Sequence, residues 1–256
     1  MRFHSMLLGV TLAAASATPG FRTHAADTRP SLEGERIETP DGELRIRPLQ
    51  HATFAMGWKG RILYVDPVGG SNRFASLPRP DLILITDIHG DHLHVETVRS
   101  VCTPTTQLVA PPAVAAQLPE DLRARTTVLT NGQSAAVLEF HIEAVPAYNL
   151  TPERLKFHPR GRGNGYVVSS GSTRVYISGD TEDVPEMRNL RDITVAFVCM
   201  NLPYTMTVDQ AADAVRAFRP RIVYPYHYRG SDLERFRQRV GTDLGIEVRI
   251  RNWYGD

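Results

Sequence analysis

Residues 82–92 read Leu-Ile-Leu-Ile-Thr-Asp-Ile-His-Gly-Asp-His, an apolar run followed at once by ionisable side chains. The run Leu82–Ile85 predicts a buried strand. Alternate side chains of extended backbone share a face, so ligands two residues apart can converge, and a turn at Gly90 can bring the last histidine to the same point. Nitrogen and oxygen ligands so arranged suit zinc, manganese or iron(II). Four side chains are candidate ligands of this predicted metal site: Asp87, His89, Asp91 and His92.

Two distant segments supply further candidate ligands. Asp180 follows the strand-like residues Val175–Ile177, and His227 follows the strand-like residues Arg221–Tyr224. A solvated polar loop is the alternative interpretation of residues 82–92, because charged residues commonly cluster in loops. Three strand ends that each carry metal-type ligands favour the metal site over that alternative.

Together these residues resemble the T-H-x-H-x-D-H signature of the metallo-β-lactamase-fold hydrolases. The resemblance covers roughly residues 44–250, with Asp180 at the position of the later bridging aspartate and His227 at that of the last histidine. It implies a four-layer αββα sandwich, in which two mixed β-sheets are flanked by helices. Three short motifs are similar to those of the branch related to ascorbate-6-phosphate lactonase: Gln50–Thr53, Val65–Pro67 and Pro225–His227.

The chain departs from that signature at two positions. Asp87 stands where the first histidine is expected, and an aspartate ligand would shift the site toward oxygen donors and harder ions. No histidine follows the predicted strand at 140–145, where residues 146–149 read Pro-Ala-Tyr-Asn. His158 is the nearest downstream residue that could complete the ligand set. The alternative is that His158 packs in the core or binds substrate.

Hydrophobic period and turn residues by themselves predict an α/β or α+β chain. Residues 44–66 alternate apolar and polar side chains in three short stretches, which is typical of an antiparallel meander. Thr207 is expected to cap a helix that Pro220 ends. Strands are expected at 44–50, 52–58, 61–66, 82–86, 107–109, 126–129, 134–138, 140–145, 165–170, 174–179, 195–198, 221–225 and 246–250, and further helices near 94–101, 112–118 and 231–240.

The N-terminus is predicted to be a secretory signal peptide. Arg2 precedes the apolar, alanine-rich residues 6–17, which are too few for a bilayer-spanning helix of about 20 residues. We therefore divide the chain into a signal peptide at 1–26, an exposed leader at 27–43 and one hydrolase domain at 44–256. An uncleaved anchor or a frayed apolar N-terminus is the alternative. The expected location is the periplasm.

Composition and charge set further limits. The chain has 256 residues, 42% of them hydrophobic and 22% charged, enough for one sizeable core. Without residues 1–26 it carries 27 basic and 28 acidic side chains, and this balance gives no electrostatic basis for binding nucleic acid or an anionic membrane. A small-molecule substrate is therefore the expected partner. Cys102 and Cys199 are expected to be reduced structural thiols, although export would permit a disulfide.

The predicted centre has residues suited to hydrolysis. One or two divalent ions, zinc or manganese with iron as a further option, would lower the pKa of a bound water from 15.7 toward about 7 and polarise a carbonyl or phosphoryl oxygen. Asp180 is expected to bridge two ions, since a carboxylate offers two oxygens. Asp91 is expected to bind an ion or to orient the attacking water, with a helix N-cap as the alternative role.

Other residues near the predicted ligand loops are candidates for binding substrate or supporting the ligands. His51 and Asp66 are expected at strand ends on the same side as the ligands, where they could touch substrate or hold a ligand. Arg160 is best suited to a carboxylate or phosphate. The candidate substrate-binding residues are His51, Tyr148, Asn149, Arg160, Tyr204 and Tyr228.

The sequence therefore predicts a metal-dependent hydrolase in which metal-bound hydroxide attacks an ester-like bond. A lactone or a phosphoester is the expected substrate, by analogy with the similar branch. Hydrolysis of β-lactams is disfavoured because the histidine pattern departs from that subgroup. Two alternatives stay open: an iron-dependent oxidoreductase of the same fold, and a non-catalytic periplasmic metal-binding protein.

Overall fold

Two seven-stranded β-sheets dominate the computed structural model, which describes Met1 and residues 31–255. The first sheet contains β1 (Glu35–Thr39), β2 (Gly42–Gln50), β3 (Thr53–Trp58), β4 (Arg61–Val65), β5 (Leu82–Leu84), β6 (Gln107–Ala110) and β7 (Thr126–Val128). The second contains β8 (Ser134–Val137), β9 (Phe140–Ala147), β10 (Gly163–Ser170), β11 (Thr173–Ile177), β12 (Val195–Cys199), β13 (Ile222–Tyr226) and β14 (Glu247–Val248). In each sheet the strands lie side by side in chain order.

Both sheets change their pairing direction at the fourth strand. Strands β1 to β4 pair antiparallel and β4 to β7 pair parallel. In the second sheet, β8 to β11 pair antiparallel and β11 to β14 pair parallel. Parallel neighbours end at the same edge of a sheet. The loops after β4 and β5 therefore meet at one edge, as do the loops after β11, β12 and β13.

Helices cover the outer face of each sheet. They are α1 (Val95–Val101), α2 (Pro112–Ala115), α3 (Glu120–Arg123), α4 (Pro185–Arg188), α5 (Val208–Phe218) and α6 (Leu233–Val240). Ile83 of β5 belongs to the same buried cluster as Val98 and Val101 of α1. The ring centroid of Tyr176 in β11 lies 5.7 Å from that of Phe218 in α5. The architecture is the αββα sandwich expected from the sequence.

Aromatic side chains fill the space between the two sheets. Phe54 of β3 stacks on Phe197 of β12 with ring centroids 4.3 Å apart. Trp253 meets both rings edge-on, at 5.6 and 6.2 Å. All three side chains are fully buried, and burial of a phenylalanine side chain stabilises the fold by roughly 1.5–3 kcal/mol. This contact holds the two sheets together.

Most predicted elements are confirmed, including the helix that Thr207 caps. Strands β5, β12 and β13 are buried along their whole length, as parallel strands covered on both faces should be. The helices α3 and α4 have no predicted counterpart, and the helix expected at 112–118 is shortened to α2. Cys102 and Cys199 are free thiols, as expected.

The structure corrects the exposed leader expected at 27–43. Strand β1 lies inside that segment and pairs with β2, and both Leu32 and Ile37 are buried. The folded domain therefore includes residues that the sequence assigned to a leader. The signal peptide expected at 1–26 lies outside the described part of the chain, apart from Met1. No helix in the described part is long and apolar enough to cross a membrane.

Candidate metal centre

A cleft of about 630 Å³ opens where the two sheets present the carboxyl ends of their parallel strands. Asp66 directly follows β4, residues 86–92 come after β5, Asp180 lies beyond β11, and His227 directly follows β13. The strand ends of both halves thus contribute to one site, as the sequence predicted. The ionisable residues that line the cleft are His51, His89, Asp91, His158, Asp180, His227 and Arg229.

Three residues of the site hold backbone conformations that non-glycine residues rarely adopt. His51, Asp66 and His227 have φ angles of 53°, 44° and 48°, and such conformations cost on the order of 1–3 kcal/mol each. The backbone N–H of Asp66 donates to Leu84 O at 2.9 Å, and that of His51 donates to Trp253 O at 3.3 Å. The N–H of His227 donates to the carbonyl of His51 at 3.2 Å. These bonds hold the sharp turns that aim the side chains at the site.

The centre of the cleft holds a tight group of ligand atoms. His92 Nε2 lies 3.3 Å from Asp180 Oδ2, and His227 Nε2 lies 3.4 Å from Asp180 Oδ1. Asp91 Oδ2 lies 3.2 Å from His227 Nε2. Ligand atoms at about 2.0–2.1 Å from a tetrahedral zinc ion are roughly 3.3 Å apart. The observed spacings therefore match the edges of one coordination sphere.

Four buried atoms of this group have no hydrogen-bond partner: His92 Nε2, His158 Nε2, Asp180 Oδ1 and His227 Nδ1. The other ring nitrogen of each histidine is occupied. His92 Nδ1 lies 2.8 Å from Asp66 Oδ2, and His158 Nδ1 lies 3.2 Å from Asn149 Oδ1. When Nδ1 donates to such an acceptor, the Nε2 lone pair is left facing Asp180. Unpartnered buried polar atoms are costly, and a cation beside Asp180 would satisfy His92 Nε2 and Asp180 Oδ1, so these residues fit a divalent metal ion.

Electrostatics in the cleft also suit a cation. Burial raises the pKa of Asp180, but His227 and His92 more than offset it and hold that pKa well below its usual range. Burial likewise raises the pKa of Asp91, and hydrogen bonds from His227 and His51 bring it below the ordinary aspartate value. Burial lowers the pKa of His51, which favours the neutral imidazole. The cleft thus combines ionised carboxylates with imidazole nitrogens.

Asp66 supports a ligand and does not line the cleft. Its carboxylate is fully buried and accepts hydrogen bonds from the backbone N–H of Thr86 at 2.8 Å and from the Thr86 hydroxyl at 2.7 Å. The same carboxylate holds His92 through Nδ1. A carboxylate behind a histidine ligand fixes the tautomer and the ring orientation, which is one of the two roles expected for Asp66.

His51 reaches the centre itself, although the sequence suggested only a substrate contact or support for a ligand. Its Nε2 lies 3.3 Å from Asp91 Oδ2, its Nδ1 lies 2.6 Å from Tyr254 Oη, and its ring centroid lies 3.6 Å from that of His227. Asp91 is half-exposed between the two imidazoles. The N-cap of α1 is His94, so Asp91 does not have the alternative capping role.

The structure does not place Asp87 among the ligands, contrary to the expectation from the sequence. Its buried carboxylate pairs with Arg162, whose Nη2 lies 3.1 Å from Oδ1 and whose Nε lies 3.2 Å from Oδ2. The argument for harder ions, which rested on Asp87, therefore loses its basis. Within the described residues, three groups of possible ligand atoms lie within 4.8 Å of one another: His51, Asp91 and His227; His89, His158 and Asp180; and His92, Asp180 and His227.

Four residues expected to bind substrate lie outside the cleft lining. The hydroxyl of Tyr148 donates to Glu186 at 3.0 Å. Arg160 also donates to Glu186, at 2.8 Å, and its guanidinium lies over the Tyr148 ring. Asn149 supports a histidine ligand, and the hydroxyl of Tyr228 donates to a backbone carbonyl. These four side chains stabilise the surrounding loops.

The wall of the cleft is formed by other residues, of which the sequence suggested only Tyr204. The ring of Phe157 lies 5.0 Å from that of Tyr204, edge to face. Leu202 and Tyr204 are 48% and 45% exposed and offer apolar surface to the cleft. The guanidinium of Arg229 lies over the Tyr254 ring at 5.1 Å, and no carboxylate in the described part of the chain pairs with it. The residues missed are Phe157, Asn201, Leu202, Pro203 and Arg229.

Comparisons with known proteins agree with this geometry. Residues 45–227 match the family profile described as Beta-lactamase superfamily domain. The chain is 31% identical over 218 residues to the UPF0173 metal-dependent hydrolase of Thermococcus onnurineus, a match that covers 80% of this chain and 96% of the relative. A solved structure from Parabacteroides distasonis, named as a metal-dependent hydrolase, is 41% identical with a TM-score of 0.78, over 86% of this chain and 98% of that one. The metallo hydrolase Igni18 of Ignicoccus hospitalis shares the fold at 21% identity with a TM-score of 0.67, over 82% and 95% of the two chains.

Proposed function

The chain belongs to the beta-lactamase superfamily and is a metal-dependent hydrolase, and from that premise we propose that it cleaves the ester-like bond of a lactone or a phosphoester. The observation that carries the proposal is the group formed by His92, Asp180 and His227, whose ligand atoms converge at the buried base of the cleft and are partly unpartnered. Binding of substrate beside that group would bring a carbonyl or phosphoryl oxygen within reach of the centre.

The residues of the chain have distinct roles in this reaction. His92, Asp180 and His227 would hold a divalent ion, which when bound would supply an activated water and polarise the bond to be cleaved. Asp91 is ionised and 44% exposed toward the cleft, so it accepts a hydrogen bond from the attacking water and orients it. His51 holds Asp91 from the other side. The buried Asp66 keeps His92 in the tautomer that binds metal.

Zinc is the metal we propose for this site. The convergent donors are imidazole nitrogens and carboxylate oxygens, a set that suits zinc, manganese or iron(II). With Asp87 paired to Arg162, the set is richer in nitrogen than the sequence suggested. Nitrogen-rich sites with open positions favour zinc over manganese. The named relatives are hydrolases, which disfavours iron-dependent oxidation and a non-catalytic role.

Two features of the cleft support a small amphipathic substrate. Phe157, Leu202 and Tyr204 form an apolar wall on the loops that follow β9 and β12. Arg229 offers a positive charge at the mouth of the cleft, where it could contact a carboxylate or phosphate. A small molecule with an apolar group and one negative charge would fit both. We also propose export to the periplasm, which the pattern of residues 1–26 supports.

Turnover by metal-loaded protein tests the proposal. A panel of chromogenic lactones and phosphodiesters should include at least one substrate whose hydrolysis stops with a chelator and returns with zinc. The His227→Ala variant should be inactive on that substrate, whereas His141→Ala, which removes an exposed histidine on β9, should match the wild type. Activity that is indifferent to chelator, or that persists in His227→Ala, would contradict the proposal. Oxygen consumption by an iron-loaded protein would favour the oxidoreductase instead.

A further inference from the structure

Arg162 lies beside His89, which forms a group of possible ligands with His158 and Asp180. The neighbouring group is His92, Asp180 and His227. Arg162 Nη2 lies 3.2 Å from His89 Nε2. The other ring nitrogen of His89, Nδ1, lies 3.4 Å from Asp87 Oδ1, so Nε2 is the nitrogen left for an ion shared with His158 and Asp180. Arg162 Nη2 also donates to Asp87 and to the carbonyl of Phe157. The guanidinium is therefore fixed by several acceptors and is only 18% exposed.

Asp87 holds that guanidinium and has no free position for a metal ion. Its Oδ1 also accepts the backbone N–H groups of Ile88 at 2.7 Å and His89 at 3.2 Å. Its side chain is 3% exposed. A Cβ atom at Gly163 would lie 2.8 Å from Asp87 Oδ2, so the backbone of β10 closes the space behind the carboxylate. The carboxylate is saturated by donors and cannot turn toward the cleft.

A cation between His89, His158 and Asp180 would conflict with this arrangement. Arginine keeps its proton at any ordinary pH and offers only donors, so its N–H uses the lone pair of His89 Nε2 that a metal would need. A divalent ion placed there would also face a positive charge in a partly buried site, where screening by water is weak. To make room, the guanidinium would have to leave the buried Asp87 carboxylate without a partner.

The neighbouring group has no such obstacle. In the described part of the chain, no arginine or lysine forms a hydrogen bond or ion pair with His92, His227 or Asp180. Asp91 lies beside this group, with Oδ2 3.2 Å from His227 Nε2, and the half-exposed Asp91 side chain lines the cleft. This group is therefore available to an ion, whereas the group around His89 is not.

The geometry points to a centre that holds one divalent ion per chain, bound by His92, Asp180 and His227 beside Asp91, while the Arg162 guanidinium occupies the place of a second ion. The Arg162 guanidinium, held by Asp87, would then supply a positive charge at the position that a second ion would otherwise occupy. The inference concerns metal content, so it stands or falls independently of the substrate proposed above.

Metal counting tests the inference without any activity assay. Protein saturated with zinc and desalted should contain about one ion per chain by elemental analysis. His89→Ala should still contain about one, whereas His227→Ala should contain close to none. X-ray absorption of the zinc-loaded protein should lack the metal–metal scattering at about 3.5–4 Å that binuclear sites give. Two ions per wild-type chain, with a loss of one in His89→Ala, would overturn the inference.

A variant that frees the second position gives a test in the opposite direction. Asp87→His combined with Arg162→Ala supplies a histidine and removes the guanidinium, and we expect it to bind about two ions per chain. Arg160→Ala, which removes the exposed arginine two residues earlier, is the matched control and should still bind one. A folded double variant that binds only one ion would show that Arg162 does not block the second position. If the double variant does not fold, the X-ray absorption of the wild type decides.

Discussion

The two sheets have the same strand order and the same change from antiparallel to parallel pairing, yet their equivalent aspartates have different surroundings. Asp66 follows the fourth strand of the first sheet, and Asp180 lies just beyond the fourth strand of the second. Asp66 is surrounded by donors, namely the N–H and hydroxyl of Thr86 and the Nδ1 of His92. Asp180 is surrounded instead by the Nε2 atoms of three imidazoles.

This difference teaches that the neighbours of a strand-end aspartate decide whether it holds a ligand or acts as one. Burial raises the pKa of Asp66, and the interactions with His92 and Thr86 that lower it do not offset the burial. The imidazoles around Asp180 reverse the effect of burial and lower its pKa far below normal. The first sheet therefore supplies support, and the second supplies a carboxylate prepared for a cation.

Asp180→Asn should have the largest effect of the variants that separate these two roles. The amide keeps the size of the side chain but removes the charge and one strong ligand oxygen. We expect metal content after desalting to fall below about one tenth of an ion per chain, and hydrolysis to fall by about three orders of magnitude or more, since water activation and charge stabilisation both depend on the ion. A variant with normal zinc content would contradict the role of Asp180 as a ligand.

Asp66→Asn should have a smaller effect that excess metal reverses. Loss of a carboxylate behind a histidine ligand commonly weakens metal binding by about 10–100-fold. We expect the zinc dissociation constant, measured by competition with a chelating dye, to rise by that factor, and activity to return at high zinc concentration. Equal effects of Asp66→Asn and Asp180→Asn would erase the distinction between the two aspartates.

The substrate side of the cleft extends the comparison, because the apolar wall and Arg229 both come from loops of the second sheet. Preference for an anionic ester is measured as the ratio of hydrolysis rates for a chromogenic ester with a terminal carboxylate and for its uncharged homologue. Arg229→Gln should lower this ratio by about fivefold, which is the upper end of the contribution of an exposed ion pair. Arg47→Gln removes an exposed arginine from β2 and is the control. A preference ratio unchanged in Arg229→Gln would show that the anionic group binds elsewhere.

Asp41 lies in the turn between β1 and β2, remote from the cleft lining, and connects the two sheets. Among these variants, Asp41→Ala should have the smallest effect on the protein. The Asp41 carboxylate accepts the backbone N–H groups of Ser172 and Thr173, each at 2.8 Å. The Thr173 hydroxyl and these further bonds lower the pKa of Asp41. Asp41→Ala should reduce Tm by a few degrees at pH 7, with zinc content unchanged.

The same variant has a defined pH dependence. A carboxylate whose pKa is lowered by folding stabilises the protein above its unfolded pKa, and that contribution is lost as pH falls through the folded pKa. The difference in Tm between the wild type and Asp41→Ala should therefore hold steady near neutral pH and shrink as the pH falls below about 4. A difference that stays constant below that pH would show that the charge of Asp41 has no part in the contact.

The central ligands could be predicted because they depend on strong local signals, whereas the sandwich was implied by the resemblance to metallo-β-lactamase-fold hydrolases and periodicity alone indicated only α/β or α+β. Continuous apolar runs such as Leu82–Ile85 end in ionisable side chains, and parallel strands bring such ends together. Strand β1 escaped prediction because Ile37 is its single apolar residue. The residues Pro40-Asp41-Gly42 that follow are a turn signal, and they could have revealed the hairpin of β1 and β2.

Contacts between distant loops could not be predicted in the same way. Arg160 and Arg162 flank Gly161, and the sequence gives no reason to prefer one as a functional residue. The positive φ of 89° at Gly161 turns the chain so that Arg162 reaches Asp87 while Arg160 stays at the surface. Likewise, nothing local indicates that Arg229 lines the cleft. The positions of Arg162 and Arg229 depend on how the loops fold over the site, and the hydrophobic periodicity of the sequence carries no information about loop conformation.

Anomalous scattering at the zinc absorption edge from crystals of the zinc-loaded protein is the most direct test of the central claim that strand ends of both sheets converge on one cation. We expect one strong peak per chain, at about 2.0–2.1 Å from His92 Nε2 and His227 Nε2 and in contact with an oxygen of Asp180. A structure with no peak among these residues, or with zinc bound only elsewhere on the chain, would contradict the account.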